Sequence, residues 1–204
     1  MKIGILVLIF SSLSGRVSLC AQNCSLTCPE NMVISADAGK EGTTVQYPKF
    51  NFPAECGTIT YSPASGSFMR LGAHSVIVMS STGQKCSFTV NVTDNEPPVL
   101  SDLVLNRQNI WPASNKMKKV GVSYTAKDNG VDVKTEMTVG SNATDGIRDW
   151  EITDNHNIRL KASRLPDGSP RIYTITVTAK DEAGNKTVKT TTIAVSQSMT
   201  AVKK

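Results

Sequence analysis

Two acidic turns in the second half of the sequence carry the side chains best suited to bind a ligand. Asp128 and Asn129 follow one alternating strand pattern, and Asp181 and Asn185 lie in the turn after another. If the two strands are neighbours in a sheet, both turns lie at one pole of the fold. Carboxylate and amide oxygens from loops suit calcium, so the pattern predicts a weak calcium site. The competing and favoured interpretation is that each side chain caps its own turn, because there is no dense Asp-x-Asp run.

Catalytic side chains are scarce in this sequence. His74 and His156 are its two histidines. Neither has a recognisable nucleophile and orienting group beside it, which nucleophilic catalysis requires. The sequence also has no phosphate-binding glycine loop and no HExxH helix. We therefore expect a protein without enzymatic activity and without a cofactor other than calcium, and we rank a hydrolase last among its functions.

The two tryptophans, Trp111 and Trp150, allow two interpretations. An exposed indole can stack on a sugar ring or anchor a protein partner, which makes both residues candidates for ligand binding. Aromatic residues make up only 5% of the chain, however. A chain with so few aromatics is expected to use them in or beside its core, and this second interpretation is favoured.

The first 21 residues have the features of a secretory signal peptide. Lys2 opens a charged segment, an apolar run covers residues 3–10, and Ala21 is the small residue at the expected cleavage site. The apolar run is far shorter than the ~20 residues that a membrane span needs. A lipoprotein signal is a closer alternative because of Cys20, but the bulky Leu19 precedes it where a small residue is required. We expect a secreted or cell-surface protein without a transmembrane segment.

Four cysteines remain after the signal peptide: Cys24, Cys28, Cys56 and Cys86. An even number in an exported chain favours disulfides. Cys24 and Cys28 have a metal-like spacing, but no second cysteine pair and no nearby histidine completes a zinc site. Four cysteines allow three pairings, and spacing alone does not choose among them.

The charge of the chain argues against nucleic acid as a partner. The formal net charge is +5, and loss of Lys2 and Arg16 with the signal peptide reduces it by two. Lys116, Lys118 and Lys119 form the densest basic group, and no aromatic platform is interleaved with them. Nucleic-acid binding usually needs a strongly basic face, whereas lysines at a solvated strand edge discourage aggregation.

A strand pattern followed by two prolines divides the chain. Phe88, Val90 and Val92 alternate with polar residues, which is the period of a half-buried strand, and Pro97-Pro98 cannot continue a ladder. Short alternating segments separated by Gly, Pro and Asn turns recur on both sides, and no helical period is present. We predict an all-β protein with a signal peptide (1–21), a first β-sandwich (22–96), a second β-sandwich (97–197) and a flexible tail (198–204). The predicted strand regions are 32–34, 43–47, 56–61, 75–79 and 86–93, then 99–105, 119–126, 135–139, 158–162, 172–179 and 187–195.

The first half resembles the hyalin repeat, or HYR, module. The residues that carry the resemblance are Cys28-Pro29 with Asn31, Asp37-Ala38-Gly39, Val45-Gln46-Tyr47-Pro48, Cys56-Gly57, Ala64-Ser65-Gly66-Ser67-Phe68, Gly72 with Val76, Cys86-Ser87-Phe88-Thr89-Val90 and Pro97-Pro98. The resemblance implies an immunoglobulin-like sandwich related to fibronectin type III domains, found in extracellular adhesion proteins and without catalytic residues. Many members have a cysteine in the turn after the first strand, where this chain has Lys40 and Glu41.

The second half resembles a bacterial immunoglobulin-like module that occurs beside HYR repeats. The resemblance rests on Trp111-Pro112 with Asn115-Lys116-Met117, Ala126-Lys127-Asp128-Asn129-Gly130, Asp149-Trp150-Glu151-Ile152, Ile158-Arg159-Leu160-Lys161-Ala162, the run from Arg171 to Asp181, and the turn from Asp181 to Asn185. It implies a second sandwich and an exported bacterial protein.

The resemblance also bears on the disulfides. In an immunoglobulin-like sandwich the first strand can run parallel to the last, which places Cys28 and Cys86 at one pole. The start of the strand at Cys56 falls at the same pole, and Cys24 can fold over to meet it. We predict the pairs Cys28–Cys86 and Cys24–Cys56, and the family resemblance supports the first of them.

We expect the mature chain to act by non-catalytic binding, as an adhesion or substrate-targeting protein of the cell surface or extracellular space. Its expected partner is an extracellular protein or a glycan. A carbohydrate-recognition module that uses Trp111 or Trp150 is one alternative, and a structural spacer is another.

Overall fold

The computed structural model describes residues 24–130, 132–144, 146 and 148–197. The predicted signal peptide (1–21) and the predicted tail (198–204) lie outside the described residues. The described chain is built from β-strands with one 3₁₀ turn at Ala54–Cys56. In this part of the chain no helix is long and apolar enough to cross a membrane.

Sixteen strands follow one another in the part of the chain that the structure describes. Those of the first half are β1 Met32–Ser35, β2 Gly42–Val45, β3 Ile59–Ser62, β4 Ser67–Arg70, β5 Gly72–Ser80 and β6 Lys85–Thr93. Those of the second half are β7 Val99–Leu100, β8 Val104–Leu105, β9 Asn109–Ile110, β10 Met117–Ser123, β11 Ala126–Lys127, β12 Lys134–Ser141, β13 Trp150–Asp154, β14 Asn157–Lys161, β15 Ile172–Lys180 and β16 Lys186–Val195.

The first half folds as an immunoglobulin-like sandwich of a four-stranded and a two-stranded sheet. The larger sheet has the order β1-β6-β5-β3, and β2 pairs with β4 in the smaller one. Strand β1 runs parallel to β6, whereas the other pairs are antiparallel. Because alternate residues of a strand face one side, the apolar positions of both sheets meet in one core. Its buried members are Val45, Met69, Val76, Val78, Phe88, Val90 and Val92.

The second half is a second sandwich with a core of its own. Its sheets have the orders β13-β14-β10-β8 and β12-β15-β16-β9, and β7 and β11 form a short separate pair. The last strand is again paired in parallel with an early one, β16 with β9. The core contains Leu100, Ile110, Val120, Val122, Met137, Val139, Ile158, Leu160, Ala162, Tyr173, Ile175, Val177, Ala179, Ile193 and Val195. The buried residues of the two halves thus form two separate clusters, which lie on either side of the Pro97-Pro98 segment.

Both disulfides lie in the first sandwich. Cys28 is bonded to Cys86 with a Cα–Cα distance of 5.7 Å, and Cys24 is bonded to Cys56 with a distance of 4.7 Å. These are the two pairs predicted from the sequence. The parallel pairing of β1 with β6 explains the first bond, because it places Cys28, just before β1, beside the start of β6.

Several predicted strand bounds were wrong for identifiable reasons. Cys56 does not begin a strand: it ends the 3₁₀ turn, and Gly57 adopts a positive φ of 69° that interrupts extended backbone. The predicted region 99–105 is two short strands, β7 and β8, which pair with different partners. Strands β4, β9 and β13 were not predicted. Strand β9 has only two residues, the adjacent apolar residues Phe68 and Met69 interrupt the alternation of β4, and β13 was missed although its residues alternate.

A buried ionic cluster lies at one end of the second core. The Arg171 guanidinium is 2.7 Å from the Asp149 carboxylate, and both side chains are only 5% exposed. Lys161 Nζ reaches the same carboxylate at 3.1 Å. The hydroxyl of Tyr173 donates a hydrogen bond to the Lys161 carbonyl at 2.9 Å and lies 3.3 Å from the Asp149 carbonyl. The cluster therefore ties β14 and β15 to the segment before β13.

The buried Tyr173 hydroxyl gives the fold a dependence on alkaline pH. Burial raises the pKa of Tyr173 to about 12. The folded protein then keeps this proton where the unfolded chain, with a tyrosine pKa of about 10, has lost it. The free energy of unfolding should therefore fall as pH rises from about 10 to about 12, by about 3 kcal/mol in total.

Chemical denaturation between pH 9 and pH 12 measures this loss, with Tyr173→Phe as the control. The variant keeps every lysine titration of the wild type but lacks the hydroxyl. We expect a shallower pH dependence for Tyr173→Phe than for the wild type. Parallel curves would contradict the assignment of the proton to Tyr173.

Candidate metal site at the domain junction

Three carboxylates converge where the two sandwiches meet. Asp94 follows β6, Asp128 follows β11, and Asp181 follows β15. Each places one carboxylate oxygen within 4.8 Å of the others. Asp128 and Asp181 are the two acidic residues that the sequence placed at one pole, and the structure brings them together. Asp94 comes from the segment that joins the halves, and it was missed.

Asp181 uses its carboxylate to build the β15–β16 turn. Its Oδ1 accepts hydrogen bonds from the backbone N–H groups of Gly184 at 2.6 Å and Asn185 at 2.8 Å. Its Oδ2 accepts one from Asn185 Nδ2 at 2.8 Å. Gly184 has a φ of 100°, which favours glycine in this turn. The turn-capping interpretation is therefore right for Asp181, and Asn185 also donates to the Asp94 carbonyl at 3.3 Å.

Asp94 and Asp128 each leave one oxygen unused. Asp94 Oδ1 accepts from the backbone N–H of Glu96 at 3.0 Å, and Asp128 Oδ1 accepts from that of Asn129 at 2.9 Å. The Oδ2 atom of each is buried and has no hydrogen-bond partner among the described residues. A buried carboxylate oxygen without a donor is costly, so turn capping does not account for these two side chains.

Asn129 adds an unsatisfied amide beside the carboxylates. The residue is only 9% exposed. Its Oδ1 and Nδ2 atoms are both buried and have no hydrogen-bond partner within the described chain. Asn129 lines a cavity of about 400 Å³ together with Glu96 and Asp128. An asparagine buried without any hydrogen bond is unusual in a folded protein, and this makes Asn129 a candidate to bind a ligand.

The electrostatics of the junction are those of uncompensated negative charge. Burial is the main cause that raises the pKa of Asp128, and the neighbouring charges of Asp94, Asp181 and Glu96 raise it further. The hydrogen bond from Asn129 N–H acts in the opposite direction. Within the described residues no lysine or arginine forms an ion pair with Asp94, Asp128 or Asp181.

The segment 94–98 contacts both sandwiches. Glu96 Oε2 accepts a hydrogen bond from the backbone N–H of Gly39 in the first sandwich at 2.7 Å. On the other side, Thr187 Oγ1 donates to the Pro98 carbonyl at 2.6 Å. The segment that carries Asp94 is thus held by both sandwiches, whereas Asp128 and Asp181 belong to turns of the second one.

The contacts that the two tryptophans make are with residues outside the carboxylate cluster. Trp150 is half-buried against the second core, with the Arg148 guanidinium 6.0 Å from its ring centre. Trp111 is 41% exposed, and its Nε1 donates to the Gln197 carbonyl at 3.2 Å. Core-edge packing thus holds for Trp150, whereas Trp111 presents part of its ring to solvent.

The histidines bond to backbone carbonyls in the structure. His74 Nε2 lies 2.7 Å from the Arg70 carbonyl. His156 Nδ1 lies 3.0 Å from the Val122 carbonyl, and its ring packs on Tyr124 with centroids 4.5 Å apart.

Comparison with known proteins adds solved structures of low similarity. No family model matches the chain, and no curated protein matches it. The first four immunoglobulin domains of Sidekick-1 are 12% identical with a TM-score of 0.45, over 82% of this chain and 47% of that one. Drosophila N-cadherin EC1-3 is 15% identical with a TM-score of 0.31, over 84% of this chain and 65% of that one. The chain spans about half the length of the Sidekick-1 fragment. At these identities and scores the similarity carries no argument about function.

Proposed function

We propose that the mature chain is an exported, non-catalytic binding protein that adheres to an extracellular protein through one sheet face of its second sandwich. Export is supported by the predicted signal peptide and by the two disulfides, which belong to an oxidising compartment. The HYR and bacterial assignments rest on the sequence resemblance alone.

The observation that carries the proposal is an array of threonines on the outer face of β12, β15 and β16. Thr138 pairs with Thr176, which pairs with Thr190, and Thr174 pairs with Thr192 in the next row. Thr178 pairs with Val188 and with Glu136 in the row on the other side. We call this surface the threonine face, and its members are Glu136, Thr138, Thr174, Thr176, Thr178, Val188, Thr190 and Thr192. Their strand neighbours point inward and are mostly buried.

A row of three lysines borders the threonine face. Lys134 pairs with Lys180, which pairs with Lys186, and all three are exposed. Strand propensity alone favours threonine on a sheet surface, so the threonines by themselves have a structural explanation. Like charges placed directly opposite one another are destabilising, and strand propensity does not explain them. Glu136, two residues from Lys134 on the same face, is the one acidic residue of the neighbouring row. We infer that the lysine row meets an acidic group of the partner.

The threonine face has the chemistry of a protein-binding surface. Its central strand β15 is uncharged from Ile172 to Thr178, and the exposed Glu136 lies beside Thr178 on the edge strand β12. Val188 is 55% exposed and Ile172, at the end of the same face, is 40% exposed. Depletion of charge at the centre with charged residues at the rim is the usual pattern of protein interfaces. A flat sheet of short side chains also loses little conformational entropy when it is covered.

A glycan is the second candidate partner, and the exposure of Trp111 is the observation that favours it. A sugar-binding site needs an accessible aromatic ring on which the sugar can stack. The partial burial of Trp150 against the core removes the second ring that a row would need.

An array of extracellular proteins and an array of glycans, both probed with the labelled mature chain, test the proposal. We expect saturable binding to one or more proteins and no glycan signal. Glycan binding that is lost in Trp111→Ala would overturn the protein-binding proposal. Absence of any binding on both arrays would favour the structural spacer.

A further inference from the structure

We propose that a calcium ion binds between Asp94, Asp128 and Asp181 and fixes the orientation of the two sandwiches. The proposal goes beyond the loop site predicted from the sequence, because Asp94 belongs to the interdomain segment and not to the second sandwich. It is independent of the identity of the binding partner.

The first step of the argument is that the oxygens are available. Asp94 Oδ2 and Asp128 Oδ2 are buried and accept no hydrogen bond in the described structure. Both Oδ1 atoms already accept hydrogen bonds from backbone N–H groups, so the turns that carry these carboxylates also fix their orientation. Fixed carboxylates with one spare oxygen each are suited to hold a cation, since little further ordering is needed when it binds.

The second step comes from Asn129. Its amide is buried beside Asp128 with neither atom hydrogen-bonded, and it lines the cavity that Glu96 and Asp128 also line. Asp128 belongs both to this cavity and to the carboxylate cluster, and a cation held by Asp128 would give the neighbouring amide oxygen a partner. The observation concerns a side chain outside the three carboxylates, and it supports a bound ligand rather than a solvated acidic group.

The chemistry of the donors selects calcium. The set contains carboxylate and amide oxygens and no cysteine or histidine, which disfavours zinc. Calcium accepts about 6–8 oxygens in flexible geometry, whereas magnesium requires near-ideal octahedral geometry. Three separate loops that meet at a junction suit the flexible coordination geometry of calcium better than the strict octahedron of magnesium. Calcium sites of extracellular modules have dissociation constants of about 10⁻⁴–10⁻³ M, and we expect this range here.

The consequence of binding follows from where the ligands come from. Without the cation, three carboxylates within 4.8 Å repel one another across the junction. With it, Asp94 at the end of the first sandwich is bridged to two loops of the second. The hydrogen bonds of Glu96 to Gly39 and of Thr187 to Pro98 then hold a closed junction. Calcium thus acts as a stiffener of the two-domain unit.

Titration calorimetry and thermal unfolding of the mature chain test the site, with calcium chloride as the probe and magnesium chloride as a comparison. The variants are Asp128→Asn and Asp94→Asn, which keep the side-chain shape and an oxygen for the backbone N–H. The control is Asp132→Asn, which removes the same charge from an exposed position in the same loop.

We expect saturable calcium heat and a rise in melting temperature for the wild type and for Asp132→Asn, and neither for the two cluster variants. In the presence of a chelator the order of the melting temperatures reverses. Asp128→Asn should then melt at or above the wild-type temperature, because one of the repelling charges is gone. A variant that merely disrupts folding would melt lower under both conditions, so the two explanations are distinguishable.

Small-angle scattering of the full mature chain supplies the domain-orientation readout. Calcium should narrow the distribution of interdomain distances in the wild type and leave that of Asp94→Asn unchanged. Absence of heat and of a melting shift at millimolar calcium would overturn the site. Calcium binding that survives in Asp94→Asn would overturn the bridging role.

Discussion

Removal of the Cys28–Cys86 disulfide is expected to lower the free energy of unfolding of the first sandwich by about 4 kcal/mol. The bond closes a loop of 58 residues, and in the chain-entropy model it restricts the unfolded chain accordingly. The Cys24–Cys56 bond closes a loop of 32 residues, so its removal should cost roughly 0.5 kcal/mol less. Small domains have stabilities of about 5–15 kcal/mol, so loss of either bond is a large fraction of the total.

Paired serine variants test this expectation without leaving a free thiol behind. Cys28→Ser with Cys86→Ser removes one bond, and Cys24→Ser with Cys56→Ser removes the other. Denaturant unfolding under oxidising conditions gives the two losses, and non-reducing peptide mapping of the wild type verifies the pairs. A loss below about 1 kcal/mol for the first double variant, or a peptide linking Cys28 to Cys56, would contradict the structure.

Asp149→Ala is expected to destabilise the second sandwich by about 3–5 kcal/mol. The substitution removes the Asp149 carboxylate from the buried Arg171 guanidinium and from Lys161. A buried charge that loses a carboxylate partner keeps its desolvation cost, which is the reason for the large effect.

The matched control for Asp149→Ala is Glu151→Ala, which breaks the Arg159–Glu151 pair on the surface at 3.4 Å. An exposed pair of this kind contributes about 0–1 kcal/mol because solvent screens it. Replacing Asp149 and Arg171 together with apolar residues should restore part of the loss, since the buried guanidinium is removed together with the carboxylate. Equal effects of Asp149→Ala and Glu151→Ala would contradict the buried ionic cluster.

The predictable part of this fold is the part that local alternation encodes. Phe88, Val90 and Val92 repeat with period two in the sequence and face the first core in the structure. Strand β9 escaped prediction because two residues carry too little pattern, and β4 because its apolar residues Phe68 and Met69 are adjacent rather than alternating. Cys56 was misplaced because the positive φ of Gly57 is a property of the tertiary fold and not of its neighbours.

The candidate sites also divide into residues that the sequence predicts and residues that only the tertiary fold brings together. Asp128 and Asp181 lie close together, but the expectation that the strands before them are neighbours is wrong. Strand β11 pairs with β7, whereas β15 pairs with β12 and β16, so the two turns come from different sheets that end at one pole. Asp94 could have been found from its position, since an Asp-Asn-Glu run directly before two prolines places acidic residues in an interdomain segment. The threonine face could not have been found, because the alignment of Thr138, Thr176 and Thr190 depends on a register across three strands.

The central claim, that the threonine face carries the binding, is tested most directly by one comparison on the extracellular-protein array. Thr190→Arg places a long charged side chain at the centre of that face. Thr60→Arg makes the same change at an exposed position of β3 in the first sandwich. We predict that Thr190→Arg loses the wild-type signal while Thr60→Arg retains it, with both variants folded by circular dichroism. Retention of the signal in Thr190→Arg together with its loss in Thr60→Arg would contradict the claim and place the binding surface on the first sandwich.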